Sequence, residues 1–420
     1  MDILVIGSGG REHALVANLS TNPRVGRLFA LPGNAGMAKD ATLVPIGTKD
    51  LGSIVQFAKQ EKIDFVVVGP DDPLVLGLVD LLEAEGIPCF GPDKRSAILE
   101  GSKVFSKDLM KRYQIPSAAY EVFDKVEDAL SYAETCALPS VVKADGLALG
   151  KGVVIAQTRD ALQAAIKAMM VDKVFGASGE RIVVEEFLTG IEVSVLSFTD
   201  GVTLVPMPSS MDHKRAFDGD EGPNTGGMGA IAPNPYYTTE LQELCMQKIF
   251  LPTMRAMNKE GRTFKGCLYF GLMLTPDGPK VIEYNARFGD PELQAVLPLL
   301  ESDLLSILVA VSQQRLQDVE IEFSSKSSCC VVLASGGYPL SYETGKSITL
   351  GKIEEGIMCL QAGTRFDGTT LVTNGGRVMN IVSTAETLFQ AIEKAYRGVT
   401  SVSFAGMQYR KDIGKVALEA

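Results

Sequence analysis

The sequence predicts an α/β and α+β protein: an N-terminal doubly wound parallel sheet, a central nucleotide-handling region, and a small β-rich C-terminal domain. Three observations lead there. Short β-favouring runs alternate with helical stretches up to about residue 100; a lysine-bearing strand enters a glycine-rich loop at 143–152 and is followed much later by a Glu-x-Asn strand at 283–285; and from Ser327 the pattern turns strand-rich.

In the first unit, Ile3 to Ile6 is an apolar run that breaks into Gly7-Ser8-Gly9-Gly10-Arg11-Glu12-His13, after which Ala14, Leu15 and Leu19 recur at helical spacing. This reads as strand, glycine turn, helix. β-rich runs return at 27–31, 43–46, 64–68 and 87–90, with helical stretches near 51–59 and 73–85. Ligands of such sheets bind beyond the carboxyl ends of the strands, so the loops 7–11, 32–36 and 69–70 should gather at a site. A dinucleotide fingerprint G-x-G-x-x-G needs glycine at position 12, where Glu12 stands, and an NAD enzyme is therefore disfavoured. What remains is a helix N-terminus with Arg11 beside it, suited to a phosphate monoester, or a purely structural tight turn.

In the centre, Gly101-Ser102-Lys103 opens a helix to Tyr113 that Ile115-Pro116 ends. Next, Ser140-Val141-Val142-Lys143-Ala144 is an apolar strand, followed by Asp145-Gly146-Leu147-Ala148-Leu149-Gly150-Lys151-Gly152 and a second strand over 153–156. A lysine inside such a strand needs a counter-charge. A nucleotide phosphate supplies one, and the glycines let the loop fold over it with Lys151; an ordinary hairpin with a solvated loop fits the local pattern equally. A strand at 181–185, the bend Glu186-Phe187-Leu188-Thr189-Gly190 and a resumed strand at 191–195 then offer backbone groups to an adenine edge and carboxylates to ribose hydroxyls.

Residues 209–235 show neither helical nor alternating pattern, so an ordered loop lining a site is expected there, followed by a helix over 238–259. His213, one of two histidines, is assigned a substrate contact and not a general-base role. After the turn Pro276-Asp277-Gly278 a strand runs through Tyr284, and alternation sends Glu283 and Asn285 to one face and Ile282 and Tyr284 to the other. A carboxylate and an amide oxygen pointing the same way form the hard-donor set that Mg²⁺ prefers. Arg287, Asp290 and Glu292 add charge directly after it.

From Ser327, strands are expected at 329–335, 358–362, 371–373 and 377–382, then a helix at 385–397. Asn374-Gly375-Gly376-Arg377 is read as a plain turn and not as part of the site. The chain thus divides into an N-terminal α/β domain at 1–102, a central domain at 103–325 with a nucleotide-covering part at about 120–190, and a C-terminal β-rich domain at 326–420.

Forty basic against 51 acidic residues leave a net charge of −11, which disfavours nucleic acid or an anionic membrane as partner. Seven scattered cysteines without a C-x-x-C pair argue for reduced thiols in a cytoplasmic protein and against a zinc site. The N-terminus lacks a basic region with a cleavage site, and the apolar run 296–311 is broken by Glu301 and Asp303, so neither export nor a membrane span is expected.

With these blocks assembled, the chain resembles the ATP-grasp superfamily and, within it, the glycinamide ribonucleotide synthetase family, in a match that runs end to end. It is carried by G-S-G-G-R-E-H-A from Gly7, P-G-N-A-G from Pro32, K-A-D-G-L-A-L-G-K-G from Lys143, D-H-K-R from Asp212, G-P-N-T-G-G-M-G from Gly222 and R-F-G-D-P-E from Arg287. The glycine loop and E-x-N are shared widely among ATP-grasp enzymes, whereas the last three blocks are specific to this family. Met211 stands where glutamine is expected and Leu149 where alanine is usual; neither departure removes a charged or metal-binding group.

The resemblance implies central ATP-grasp domains and a ligase of purine synthesis that joins glycine to 5-phosphoribosylamine with ATP, through glycyl phosphate. It places Lys103, Lys143, Lys151, Glu185, Glu186, Leu188 and Glu192 around ATP, and Glu283 and Asn285 on Mg²⁺ or Mn²⁺. Gly9, Gly10, Arg11 and Asn34 would face the ribose phosphate; Asp212, His213, Lys214, Asn224, Thr225 and Gly226 are further substrate contacts. Lys151, Arg287 and Asp290 are assigned to catalysis, and a monomer is expected. Another ATP-grasp carboxylate–amine ligase is the alternative, against which the D-H-K-R and R-F-G-D-P-E blocks speak. A non-catalytic nucleotide sensor is the reading from another class.

Overall fold

The structure is a computed structural model that describes residues 1–147 and 152–419. Its N-terminal part is a five-stranded parallel sheet in the order Thr42–Leu43, Leu28–Pro32, Ile3–Gly7, Phe65–Val68, Cys89–Phe90. Ile3, Leu4, Val5 and Ile6 are all buried, as strands covered by helices on both faces must be. The strand order reverses at Ile3–Gly7, which opens the crevice in which such sheets bind ligands. The helix expected at 73–85 is instead two, Asp71–Leu76 and Leu78–Ala84, because Gly77 adopts a left-handed φ of 98° between them.

Two antiparallel four-stranded sheets follow. The first runs Tyr120–Phe123, Ile182–Glu186, Ser140–Ala144, Val153–Ala156, and the helices Val126–Ala133 and Arg159–Met170 cover it with a small core of its own. The second runs Leu204–Pro206, Ile191–Thr199, Gly266–Thr275, Gly278–Asn285. The chain crosses between them at residues 187–190. Gly190 carries a φ of 153°, and a Cβ there would lie 2.0 Å from the Leu274 carbonyl oxygen, so only glycine lets the crossing pass this close.

The last large sheet pairs Met211–Asp212, Gly229–Ala232, Ser327–Ser335, Arg377–Ala385 and Ile357–Gln361, with Met407–Gln408 added to Ser327–Ser335. Residues 209–235 are therefore not patternless: they give two strands to this sheet and form a hairpin from Arg215–Phe217 and Glu221–Asn224. Strands this short and glycine-rich carry no periodic signal, and their partners are remote, Gly229 lying opposite Val331. The helix expected at 238–259 is present as Thr239–Cys245, a π turn Met246–Phe250, and Leu251–Lys259.

One buried cluster joins Ile3 and Val5 of the parallel sheet to Leu293 and Leu304 beyond the R-F-G-D-P-E block and to Ala230, Cys330 and Val382 of the last sheet. The three regions share a core, and their meeting place is fixed by packing. No helix among the described residues is long and apolar enough to cross a membrane.

Candidate active site

A cavity of about 760 Å³ opens between the two antiparallel sheets and the last sheet. At one end Ser102 caps the helix Lys103–Arg112, accepting from the Phe105 amide at 3.1 Å and donating to Asp145 Oδ1 at 2.9 Å. That cap sets the first turn so that Lys103 Nζ donates to the Gly146 carbonyl at 3.1 Å. Lys143, delivered by its strand, places Nζ 3.1 Å from Glu185 Oε2 and donates to the Ile282 carbonyl at 3.1 Å. Lys107 lies one helical turn after Lys103, with Nζ 3.0 Å from the same Glu185 oxygen. Burial draws the Lys107 ammonium down to about 8 and lowers Lys103 as well. The i, i+4 spacing of Lys103 and Lys107, which puts both on one helix face, is the only trace of this role for Lys107 in the sequence.

The hinge side chains spread along one wall. Glu186 Oε1 pairs with Lys280 Nζ at 3.2 Å, Leu188 faces the cavity, and Glu192 Oε1 accepts from Lys214 Nζ at 2.6 Å. Burial lowers Lys214, but the carboxylates of Glu192 and Glu283 outweigh it and hold its ammonium well above the usual range.

Glu283 and Asn285 stand opposite Gly271 and Tyr269 on the neighbouring strand, and both reach the cavity. Glu283 makes no hydrogen bond or ion pair among the described residues. Burial pushes it up, yet Lys214, Lys143, Lys103 and Arg287 together hold it below its ordinary value. Asn285 Oδ1 accepts only a long bond, 3.3 Å, from Arg287 Nη2. A charged carboxylate without a partner beside a nearly free amide oxygen fits an oxygen-seeking divalent cation. Among the described residues no group of three or more His, Cys, Asp or Glu forms a metal cluster, so most of such an ion's ligands would be water or substrate oxygens.

The R-F-G-D-P-E block lines the other end. Arg287 Nη2 lies 3.1 Å from Glu100 Oε1, while Glu100 Oε2 accepts from the Ala286 amide at 2.7 Å; burial raises this carboxyl to about 7 despite the arginine. Burial likewise raises Asp290, but Arg377 and Arg11 prevail and keep it low. Arg377, where a plain turn was expected, does not line the cavity itself but pairs with Asp290, which does. Its Nη1 lies 3.3 Å from Asp290 Oδ1 and donates to the carbonyls of Gly226 and Asp290. Asp212 and Glu292 are both raised, burial first; Asp212 is raised further by the Glu292 charge, and its Oδ1 is buried without a hydrogen-bond partner among the described residues. Thr225 Oγ1 donates to the Lys214 carbonyl and accepts from the Gly227 amide, Gly226 donates to the Tyr338 hydroxyl, and Asn224 pairs with Arg215.

His213 lines the cavity and is buried; its Nε2 accepts from the Gly414 amide at 3.0 Å, and burial holds the ring down at about 4, so the neutral ring also anchors the C-terminal segment. Gly9, Gly10, Arg11 and Asn34 do not line the cavity. The Arg11 guanidinium turns inward to Glu12 and, at 2.8 Å, to the Phe288 carbonyl, while Glu12 Oε2 accepts from the Gly9 amide at 2.7 Å. The helix N-terminus expected to receive a phosphate is therefore faced by a carboxylate of its own first turn. Asn34 donates to the Ser8 and Gln361 carbonyls and accepts from the Gly36 and Met37 amides, so its amide braces the turn. Lys151 and residues 148–150, Leu149 among them, lie outside the described residues.

The families described as phosphoribosylglycinamide synthetase N domain, ATP-grasp (A) domain and C domain match residues 1–100, 101–293 and 328–416. A phosphoribosylamine–glycine ligase of Halalkalibacterium halodurans is 47% identical over 419 residues, covering 100% of this chain and 97% of its own. One of Clostridium acetobutylicum is 46% identical over 415 residues, covering 99% and 100%. The crystal structure of phosphoribosylamine–glycine ligase from Thermotoga maritima superposes with a TM-score of 0.85 at 33% identity, over 98% of this chain and 100% of that one. The biotin carboxylase domain of the Hydrogenobacter thermophilus 2-oxoglutarate carboxylase, at 15% identity and a TM-score of 0.76 over 97% and 91% of the two chains, shares the fold. The chain belongs to the phosphoribosylglycinamide synthetase family.

Proposed function

We propose that this chain uses ATP to join glycine to 5-phosphoribosylamine, releasing glycinamide ribonucleotide, ADP and phosphate in purine synthesis. The observation that carries the reading is the convergence, in one cavity, of Lys103, Lys107 and Lys143 with the Glu283 carboxylate, which has no partner among the described residues, and of Arg287 and Asp290 at its far end, where Arg377 pairs with Asp290. In this reading Lys103, Lys143 and Lys151 neutralise the phosphates, Glu185, Glu186 and Leu188 take the base, and Glu192 takes the ribose. Arg287, Asp290, Asp212 and Lys214 hold glycine and the acyl phosphate; Asn224, Thr225 and Gly226, with the Gly9–Gly10–Arg11 turn that Asn34 braces, face the phosphoribosylamine. Glu283 and Asn285 would hold Mg²⁺ or Mn²⁺, which when bound neutralises phosphate oxygens as a Lewis acid.

A glycine carboxylate oxygen attacks the γ-phosphorus and ADP departs, leaving glycyl phosphate. The amine of phosphoribosylamine then attacks the carbonyl carbon, losing one proton as the C–O bond to phosphate breaks. The cationic side chains lower the repulsion between carboxylate and phosphate and hold them in line, and no protein nucleophile is required. Seven free cysteines suit a reducing cytosol, and one chain carries every assigned residue, as a monomer requires. Turnover with all three substrates tests the reading: ADP and phosphate should form together with glycinamide ribonucleotide only when all are present. Release of AMP and pyrophosphate, or equal turnover with unrelated amines, overturns it; sedimentation at the mass of one chain tests the monomer.

A further inference from the structure

Lys107 is a buried cation of the cavity to which the proposed chemistry gives no separate task. Its residue is 2% exposed, and its Nζ lies 3.0 Å from Glu185 Oε2. Lys143 Nζ lies 3.1 Å from that same oxygen, so two cations sit on one side of the carboxylate. The other oxygen, Glu185 Oε1, is buried and has no hydrogen-bond partner among the described residues. Lys143 Nζ also donates to the Ile282 carbonyl; Lys107 Nζ makes no hydrogen bond among the described residues, so its contact with Glu185 is an ion pair, and it stands over the Tyr120 ring at 5.9 Å. Around them the cavity wall is apolar, formed by Met110, Val141, Ile155 and Leu188. A flat ring fits such a wall, and a buried acceptor in it calls for an N–H donor.

We propose that Lys107 is a positioning residue that sets base specificity: by holding Glu185 Oε2 it presents Oε1 to the exocyclic amino group of a 6-aminopurine and so selects adenine over guanine. The inference rests on the reading of this cavity as the nucleotide site. Guanine carries a carbonyl oxygen where adenine carries the amino group, and an acceptor aimed at a fixed carboxylate oxygen is repelled. Without Lys107 the carboxylate keeps only its ion pair with Lys143 and is freer to turn about its last torsion.

Calorimetry on the full chain with ATP, GTP and purine riboside triphosphate, which lacks the amino group, tests this in the wild type, Lys107→Met and Lys107→Arg. Wild type should prefer ATP to purine riboside triphosphate by about tenfold or more. Lys107→Met should lose at least about tenfold of the preference for ATP over GTP, and Lys107→Arg should restore most of it. An unchanged ATP-over-GTP ratio in Lys107→Met, whatever its melting temperature, overturns the inference alone. Equal binding of ATP and purine riboside triphosphate by wild type also overturns it, and this arm decides if Lys107→Met does not fold. Should wild type bind no nucleotide, the reading of the cavity falls and the inference with it.

Discussion

Arg377 Nη1 lies 3.3 Å from Asp290 Oδ1 and donates to the Asp290 carbonyl at 2.6 Å, so the first residue of a C-terminal strand clamps the R-F-G-D-P-E loop. Replacing Arg377 by Met leaves Asp290 a poorly compensated carboxylate. The variant should lose about 1.5 to 3 kcal/mol of stability and most of its turnover. Arg377→Lys should not rescue it, because a single ammonium cannot reach Gly226 and both Asp290 acceptors as a guanidinium does. Thermal unfolding and steady-state turnover check this; wild-type values for Arg377→Met would show that the clamp is idle.

Glu283→Gln keeps the strand Gly278–Asn285 and its pairing with Gly266–Thr275 while removing the one anion that Lys103, Lys143, Lys214 and Arg287 surround. Turnover should fall by more than roughly 100-fold, with only a small change in melting temperature. Near-normal activity at limiting Mg²⁺ would rule out the metal assignment.

Glycine labelled with heavy oxygen in its carboxylate distinguishes attack at the γ-phosphorus from attack at the α-phosphorus. One labelled oxygen should appear in inorganic phosphate and none in any nucleotide by mass spectrometry. Label in AMP would refute the glycyl phosphate route and leave the fold untouched.

His13 and His213 are both buried, and burial holds each at about 4, against 6.5 when unfolded. The unfolded chain therefore binds more protons between these values. Their contribution is fully present above pH 6.5 and is lost as pH falls toward 4, which amounts to roughly 2 kcal/mol per histidine at pH 5. His213→Gln, which keeps an acceptor for the Gly414 amide, should flatten this slope in urea unfolding followed from pH 6.5 to 4.5. A slope equal to that of wild type would mean that His213 is charged in the native state.

What the sequence determined by itself is what short-range pattern can encode. The continuous apolar run at Ile3 to Ile6 marks a strand buried on both faces, as it is; Glu283 and Asn285 both reach the cavity as alternation along Gly278–Asn285 requires, although Ile282, at a register irregularity opposite Gly271 and Leu272, and Tyr284 touch it too. The lysine in Ser140–Ala144 announced a buried charge needing a partner, and Glu185 is that partner within the protein. The blocks around Asp212, Gly222 and Arg287 carried the family, because residue identity at fixed spacing survives where periodicity is absent.

Only the tertiary structure decided which distant groups meet. Arg377 reads as a turn residue until Arg377–Ala385 pairs with Ser327–Ser335, and Met211–Asp212 and Gly229–Ala232 become strands only because that same sheet accepts them. Lys107 is an ordinary helical lysine until the sheet holding Glu185 closes over it. Arg11 and Asn34 looked free beside their glycines, yet the Phe288 and Gln361 carbonyls, hundreds of residues away in the chain, engage them. The reason is physical: propensity and periodicity act over a few residues, whereas a buried charge or amide takes its partner from whatever the packed core brings within hydrogen-bond reach.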